Sequence, residues 1–147
     1  MPSEAGPYLS VAAFCEQVIE DKSGVLSLIR IVDRLNIISQ GPTVPETMPS
    51  ATINWSLVLI LKSGKARGSH PVKIETELPS GMKLPPVILI AHFEGENRGV
   101  NIISKLAMKL EMPGVYWFKV YVDDEFLTQI PVEVIYSRVV IPAPPAQ

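Results

Sequence analysis

Few residues in this chain have the types and spacing that chemistry requires. Cys15 is the only cysteine. A nucleophilic thiol needs its pKa lowered by a histidine or a helix N-terminus, and His70 and His92 lie far along the chain. Cys15 instead follows Phe14 in an apolar stretch, which suits a small buried hydrophobe. Two histidines and one cysteine, with no pair at ligand spacing, argue against a structural zinc site. The string "DDE", Asp123 to Glu125, could gather oxygen ligands for calcium, but a charged turn between two strands is written the same way. "LKSGKARGSH" collects Lys62, Lys65, Arg67 and His70 around two glycines, a composition that suits phosphate. It lacks the Lys-Ser/Thr ending of a P-loop, and no aromatic residue interleaves it as a stacking platform for bases. "EGENRGV", Glu94 to Val100, reads as a further turn. A small hydrolase or ligand-binding site in the loops would draw on His70 or His92 with Asp123, Asp124 or Glu96. No spacing among these assembles a base, an orienting group and a pocket. The expectation is a protein without catalytic, metal or cofactor-binding residues.

Two other groups of residues stand out. Arg30, Asp33 and Arg34 place charge in an otherwise apolar run. If that run is one strand, Arg30 and Arg34 share a face and Asp33 lies opposite. They are then rim charges that stop a hydrophobic strand from mispairing, or a buried pair that fixes an interface. Ile88, Ile90 and Ile103 fall on the outward faces of two alternating segments. If those strands are adjacent, they display an apolar patch suited to a protein partner or a second copy. These six residues form the candidate interaction surface.

The elements that position them follow from hydropathy. Hydrophobic residues make up 47 % of the 147, and mean hydropathy is +0.25. A chain of this length suits one domain with its own core. The net charge is -2 and the pI about 5.7, so no bulk field attracts nucleic acid or an anionic membrane. No apolar run reaches the ~18 residues of a membrane helix. The opening "MPSEAGPYLS" has no basic segment leading into an apolar one, so no secretory signal is expected. With an unpaired cysteine, this points to the cytoplasm.

Period-two alternation dominates. Trp55, Leu57, Leu59 and Leu61 share a face. So do Val72, Ile74, Thr76 and Leu78; Val100, Ile102, Leu106, Met108 and Leu110; and Tyr116, Phe118, Val120 and Val122. Val87 to Phe93 starts apolar on both faces, as a central strand would. Ser-Gly, Pro-Gly and Asp-Asp pairs separate the runs and supply turns. The expected fold is all-β: an immunoglobulin-like antiparallel β-sandwich of about seven to nine strands. Residues 1–7 are expected to be a flexible amino end and 8–138 one sandwich domain. Ser39 to Thr52 is a Pro-rich mobile loop and 139–147 a Pro-rich tail.

"FCEQVIEDKSGVLSLIRIVDR", Phe14 to Arg34, reads in two ways. A helix from Ser10 to Asp21 is one. The other is a hairpin turning at Asp21 to Gly24, with Leu9, Val11, Ala13, Cys15 and Ile19 on one face and Val25 to Ile38 running back. The Val and Ile content of the second half favours the hairpin. This pattern, together with "PGVYWFKVYVDDEFLTQIPVEVIY", resembles an uncharacterised bacterial family of small β-sandwich proteins, a domain of unknown function. The resemblance spans Tyr8 to Tyr136 and implies a fold, with no activity attached. The Pro-Gly turn before Tyr116 also makes this tyrosine a candidate corner anchor, its hydroxyl bonding back to the turn. The Cys-Trp-Cys pattern of antibody domains is missing.

The functional expectation is therefore a non-enzymatic interaction or assembly module. It would recognise a protein partner or itself through a sheet face or edge. A structural subunit of a phage-like or filamentous assembly is a further reading.

Overall fold

A computed structural model describes residues 5–145, and among them the chain is all-β. Its strands are β1 (Tyr8–Glu20), β2 (Leu26–Val32), β3 (Arg34–Gly41), β4 (Ala51–Lys62), β5 (Arg67–Glu77), β6 (Val87–Glu94), β7 (Gly99–Leu110), β8 (Gly114–Val122) and β9 (Glu125–Val140). They form two sheets. The four-stranded sheet has the order β2-β1-β4-β7, and the five-stranded sheet β3-β9-β8-β5-β6. Pairing is antiparallel except between β3 and β9, which run parallel. The expectation of a wholly antiparallel sandwich is corrected there. A parallel neighbour needs a long connection, and here β4 to β8 all lie between these two strands. The five-stranded sheet curls into a half-barrel.

Alternation places the core between the sheets. Trp55, Leu57, Leu59 and Leu61 of β4 meet Val72 and Ile74 of β5, Ala91 and Phe93 of β6, and Phe118 and Val120 of β8. Phe14 stacks on Trp55 with centroids 4.1 Å apart, and Phe118 reaches across from the other sheet to lie 4.5 Å from Phe14. Such offset and tilted ring contacts suit the aromatic quadrupole. Tyr116 is buried, and its hydroxyl donates to the Met112 carbonyl at 2.8 Å. That is the corner contact expected from the Pro-Gly turn.

The amino-terminal stretch is a hairpin. Asp21 closes its turn: Oδ1 accepts from the Ser23 amide, the Ser23 hydroxyl and the Val25 amide. The Ser23 hydroxyl, the largest influence, and these amides hold the Asp21 carboxyl below its usual pKa. Gly24 takes φ 84°, a conformation open to glycine at little cost. The facing within β1 differs from expectation. Its register against β4 shifts between Leu9 and Val11, and one extra residue reverses the alternation. Leu9, Ala12 and Phe14 therefore face the core, and Cys15 turns to the outer face.

Val25 to Ile38 is not one strand. The chain breaks at Asp33, so β2 and β3 belong to different sheets. The Pro-rich segment is shorter than 39–52, because β3 runs to Gly41 and β4 starts at Ala51. It is also packed rather than loose. Val44 and Met48 are buried, Tyr136 donates to the Pro45 carbonyl and Arg138 to the Val44 carbonyl. The tail begins later than 139, since β9 runs to Val140 and the Ile141 amide bonds Gly41. At the amino end, the Ala5 carbonyl accepts from the Lys65 amide at 2.9 Å; residues 1–4 of the expected flexible end, and 146–147 of the tail, lie outside the described residues.

Candidate functional site

The charges singled out in the sequence lie where the hairpin bends. β1 and β2 pair at Cys15↔Ile31 and again at Gln17↔Ile29. Between these pairs Arg30 takes φ 57°, the left-handed region that non-glycine residues seldom occupy. Its Nε lies 2.8 Å from Glu16 Oε2, with both side chains at least half exposed. An ion pair so open to water contributes about 0–1 kcal/mol.

Beyond the bend the hairpin forms an arm across the outer face of the four-stranded sheet. The Gly24 carbonyl at its tip accepts from Asn101 Nδ2 on β7 at 3.1 Å. A shallow groove between arm and sheet is lined by Gln17, Val18, Ser56 and Ile103. Beneath the arm Cys15 and Val58 are fully buried, although they lie on the face opposite the main core. Burial raises the Cys15 thiol pKa.

Arg30, Asp33 and Arg34 come together with Glu16 around a cleft of about 550 Å³ at the β2–β3 crossover. All three are exposed, which overturns the buried-pair alternative. Among the described residues neither the Asp33 nor the Arg34 side chain has an ion-pair or hydrogen-bond partner. The other trio is separated. Ile88 and Ile90 lie on β6, the edge of the five-stranded sheet, and are 60 % and 65 % exposed. Ile103 lies on β7 in the other sheet, half-buried beside the arm. The patch expected across two adjacent strands does not form, because the chain changes sheet between β6 and β7.

Each sheet edge has its own chemistry. β2 carries Arg30, β3 Arg34, and β7 Lys105 and Lys109. From Val87 to Phe93, β6 has no Asp, Glu, Lys or Arg. It is also not the central strand its apolar start suggested. In the loop before it, Met82 is also 63 % exposed. On the same face of the sheet as Ile88 and Ile90, Lys73 stacks over the Tyr121 ring, 4.7 Å from its centroid, and Tyr121 meets Phe126.

The polar groups weighed for catalysis settle into turns and pairs. Asp123 and Asp124 form the β8–β9 turn with φ 52° and 63°, as a tight hairpin of the primed type requires. His70 Nδ1 meets Asp123 Oδ2 at 2.6 Å and Nε2 the Arg67 carbonyl at 2.8 Å. Two acceptors favour the doubly protonated ring, and the His70 pKa is raised, most by the Arg67 carbonyl and then by Asp123. With both nitrogens engaged, the ring has no free lone pair to take a substrate proton. His92 Nδ1 meets the Ser69 hydroxyl at 3.3 Å. Arg67 of the basic loop pairs with Glu96 in the turn between β6 and β7, where Arg98 pairs with Glu94 and Glu96. Among the described residues, no three or more His, Cys, Asp or Glu gather as a metal-binding group.

Sequence reasoning missed the arm and the residues that make it bend. One signal was present. Leu57 to Leu61 is apolar at every position, and a strand apolar on both faces is covered on both. The curled main sheet lies on one side and the arm on the other.

The fold and surface define an all-β protein of two sheets whose most distinctive exposed feature is an uncharged strand edge. Residues 10–135 match the model of a family of unknown function (DUF6941), and the chain belongs to that family. No curated protein matches it significantly. No helix among the described residues is long and apolar enough to cross a membrane.

Proposed function

We propose that the protein is a non-enzymatic assembly module that pairs its β6 edge with the β6 edge of a second copy. One observation carries this reading: β6 exposes Ile88 and Ile90 on an edge without charge between Val87 and Phe93. Edge strands in monomeric proteins are protected by charge, proline, bulges or covering segments, because their open backbone groups recruit other strands. Two-fold antiparallel pairing about Ile90 sets Ile90 against its equivalent and Ile88 beside His92. It also brings the end near Lys83 of one copy toward Glu94 and Glu96 of the other. Such an interface is self-complementary, as a two-fold dimer requires.

The immunoglobulin-like description draws support from the Tyr116 corner and from the core shared by two sheets. The lone cysteine suits a reducing compartment such as the bacterial cytoplasm. Light scattering on the eluting protein tests the assembly reading. The mass of a dimer is expected, falling to that of a monomer in Ile88→Lys/Ile90→Lys. A wild-type monomer at every concentration overturns it.

A further inference from the structure

A second strand edge is open inside the four-stranded sheet. β4 pairs with β7 from Lys62↔Gly99 to Ala51↔Leu110, but β1 leaves it after Cys15↔Ser56. Ala51 to Trp55 therefore has a strand on one side alone. Continued straight, β1 would bring Glu16 to Glu20 alongside; the bend at Arg30 directs them over the sheet face instead. A cavity of about 300 Å³ lies at this departure point, lined by Glu16, Asn54, Trp55, Ser56, Lys105 and Leu106.

One buried donor and one unpaired charge adjoin it. Trp55 is 3 % exposed, and its indole Nε1 is the one buried side-chain polar atom without a hydrogen-bond partner among the described residues. Buried donors are almost always paired. Lys105 is exposed and has no ion-pair partner among the described residues, whereas Glu16 is neutralised by Arg30. The uncompensated charge at the cavity is therefore positive.

We propose that this gap is a seat for an extended acidic peptide segment, which adds as a strand beside Ala51–Trp55. The peptide backbone meets the open groups of β4, the usual chemistry of strand addition. An acidic side chain reaches Lys105, and an oxygen of the segment accepts from the Trp55 indole. The seat is independent of the β6 edge.

The test is an amide NMR titration with an acetylated, amidated heptapeptide of alternating Glu and Val. Resonances of residues 51–55 and the Trp55 indole N–H are expected to shift, with slower hydrogen exchange at both. Lys105→Glu weakens binding at least tenfold while the spectrum stays folded, and a Lys-Val heptapeptide binds at least tenfold more weakly. Ile90→Lys leaves the affinity within twofold, so failure of the β6 reading does not carry over. No shift at 51–55 with millimolar peptide overturns the proposal. So does equal binding of the Lys-Val peptide, or a response confined to residues 17–29, which would show the arm as the site.

Discussion

Glu16 and Arg30 face each other across the β1–β2 hairpin, 2.8 Å apart, where the arm turns away from the sheet. The backbone at Arg30, φ 57°, makes this turn; the ion pair only decorates it. A residue held there costs ~1–2 kcal/mol unless it is glycine, and the exposed pair contributes less than that. Arg30→Gly is therefore expected to leave stability within about 1 kcal/mol of the wild type. Arg30→Val, β-branched at positive φ, lowers it by ~2 kcal/mol or more. Urea unfolding of both variants checks the order. Equal losses in the two would show that the ion pair, not the backbone, holds the bend.

The arm also makes a prediction about Cys15. The thiol is fully buried beneath it and its pKa is raised by that burial, so little thiolate forms near neutrality. Folded protein is expected not to react with Ellman's reagent at pH 8 within minutes, and to react stoichiometrically in denaturant. Cys15→Ser, which buries a hydroxyl without an assured partner, costs ~1–3 kcal/mol. Rapid labelling of the folded state would mean that the arm opens readily.

Much of this was legible in the chain and some was not, for definite reasons. β4, β5, β7 and β8 faced the core as their alternation required, since each keeps its period of two without a break along the residues that line it. β1 did not, because a bulge between Leu9 and Val11 inverts the period and leaves no mark on composition. The break at Asp33 was hidden by β-forming residues on both sides of it. The charges at Arg30, Asp33 and Arg34 signalled something, but a single-strand reading set Asp33 opposite the arginines rather than in one cleft with them. Ile88 and Ile90 were correctly turned outward; Ile103 was joined to them only by assuming that consecutive strands share a sheet.

His70 gives a pH dependence with a defined sign. Its folded pKa is raised by the Arg67 carbonyl and by Asp123, so the folded state holds the proton more tightly than the unfolded chain. The stabilisation is complete below the unfolded value of about 6.5 and is lost as pH rises through the folded pKa. The melting temperature of the wild type is expected to exceed that of His70→Gln most at pH 6 and least at pH 9. A gap that is constant or widens with pH would contradict this.

Tyr116 is expected to matter through one bond. Tyr116→Phe keeps the buried ring and removes the 2.8 Å donation to Met112, at a cost of ~0.5–1.5 kcal/mol. Thermal unfolding measures it. No loss would mean that ring packing alone holds this corner.

The central claim is that β6 is a pairing edge. Isotope-filtered NOEs on a mixture of labelled and unlabelled chains test it most directly. Contacts between copies are predicted within residues 87–93, centred on Ile90. A dimer whose intermolecular contacts all lie elsewhere, or β6 amides that exchange as freely as an open edge, would contradict it.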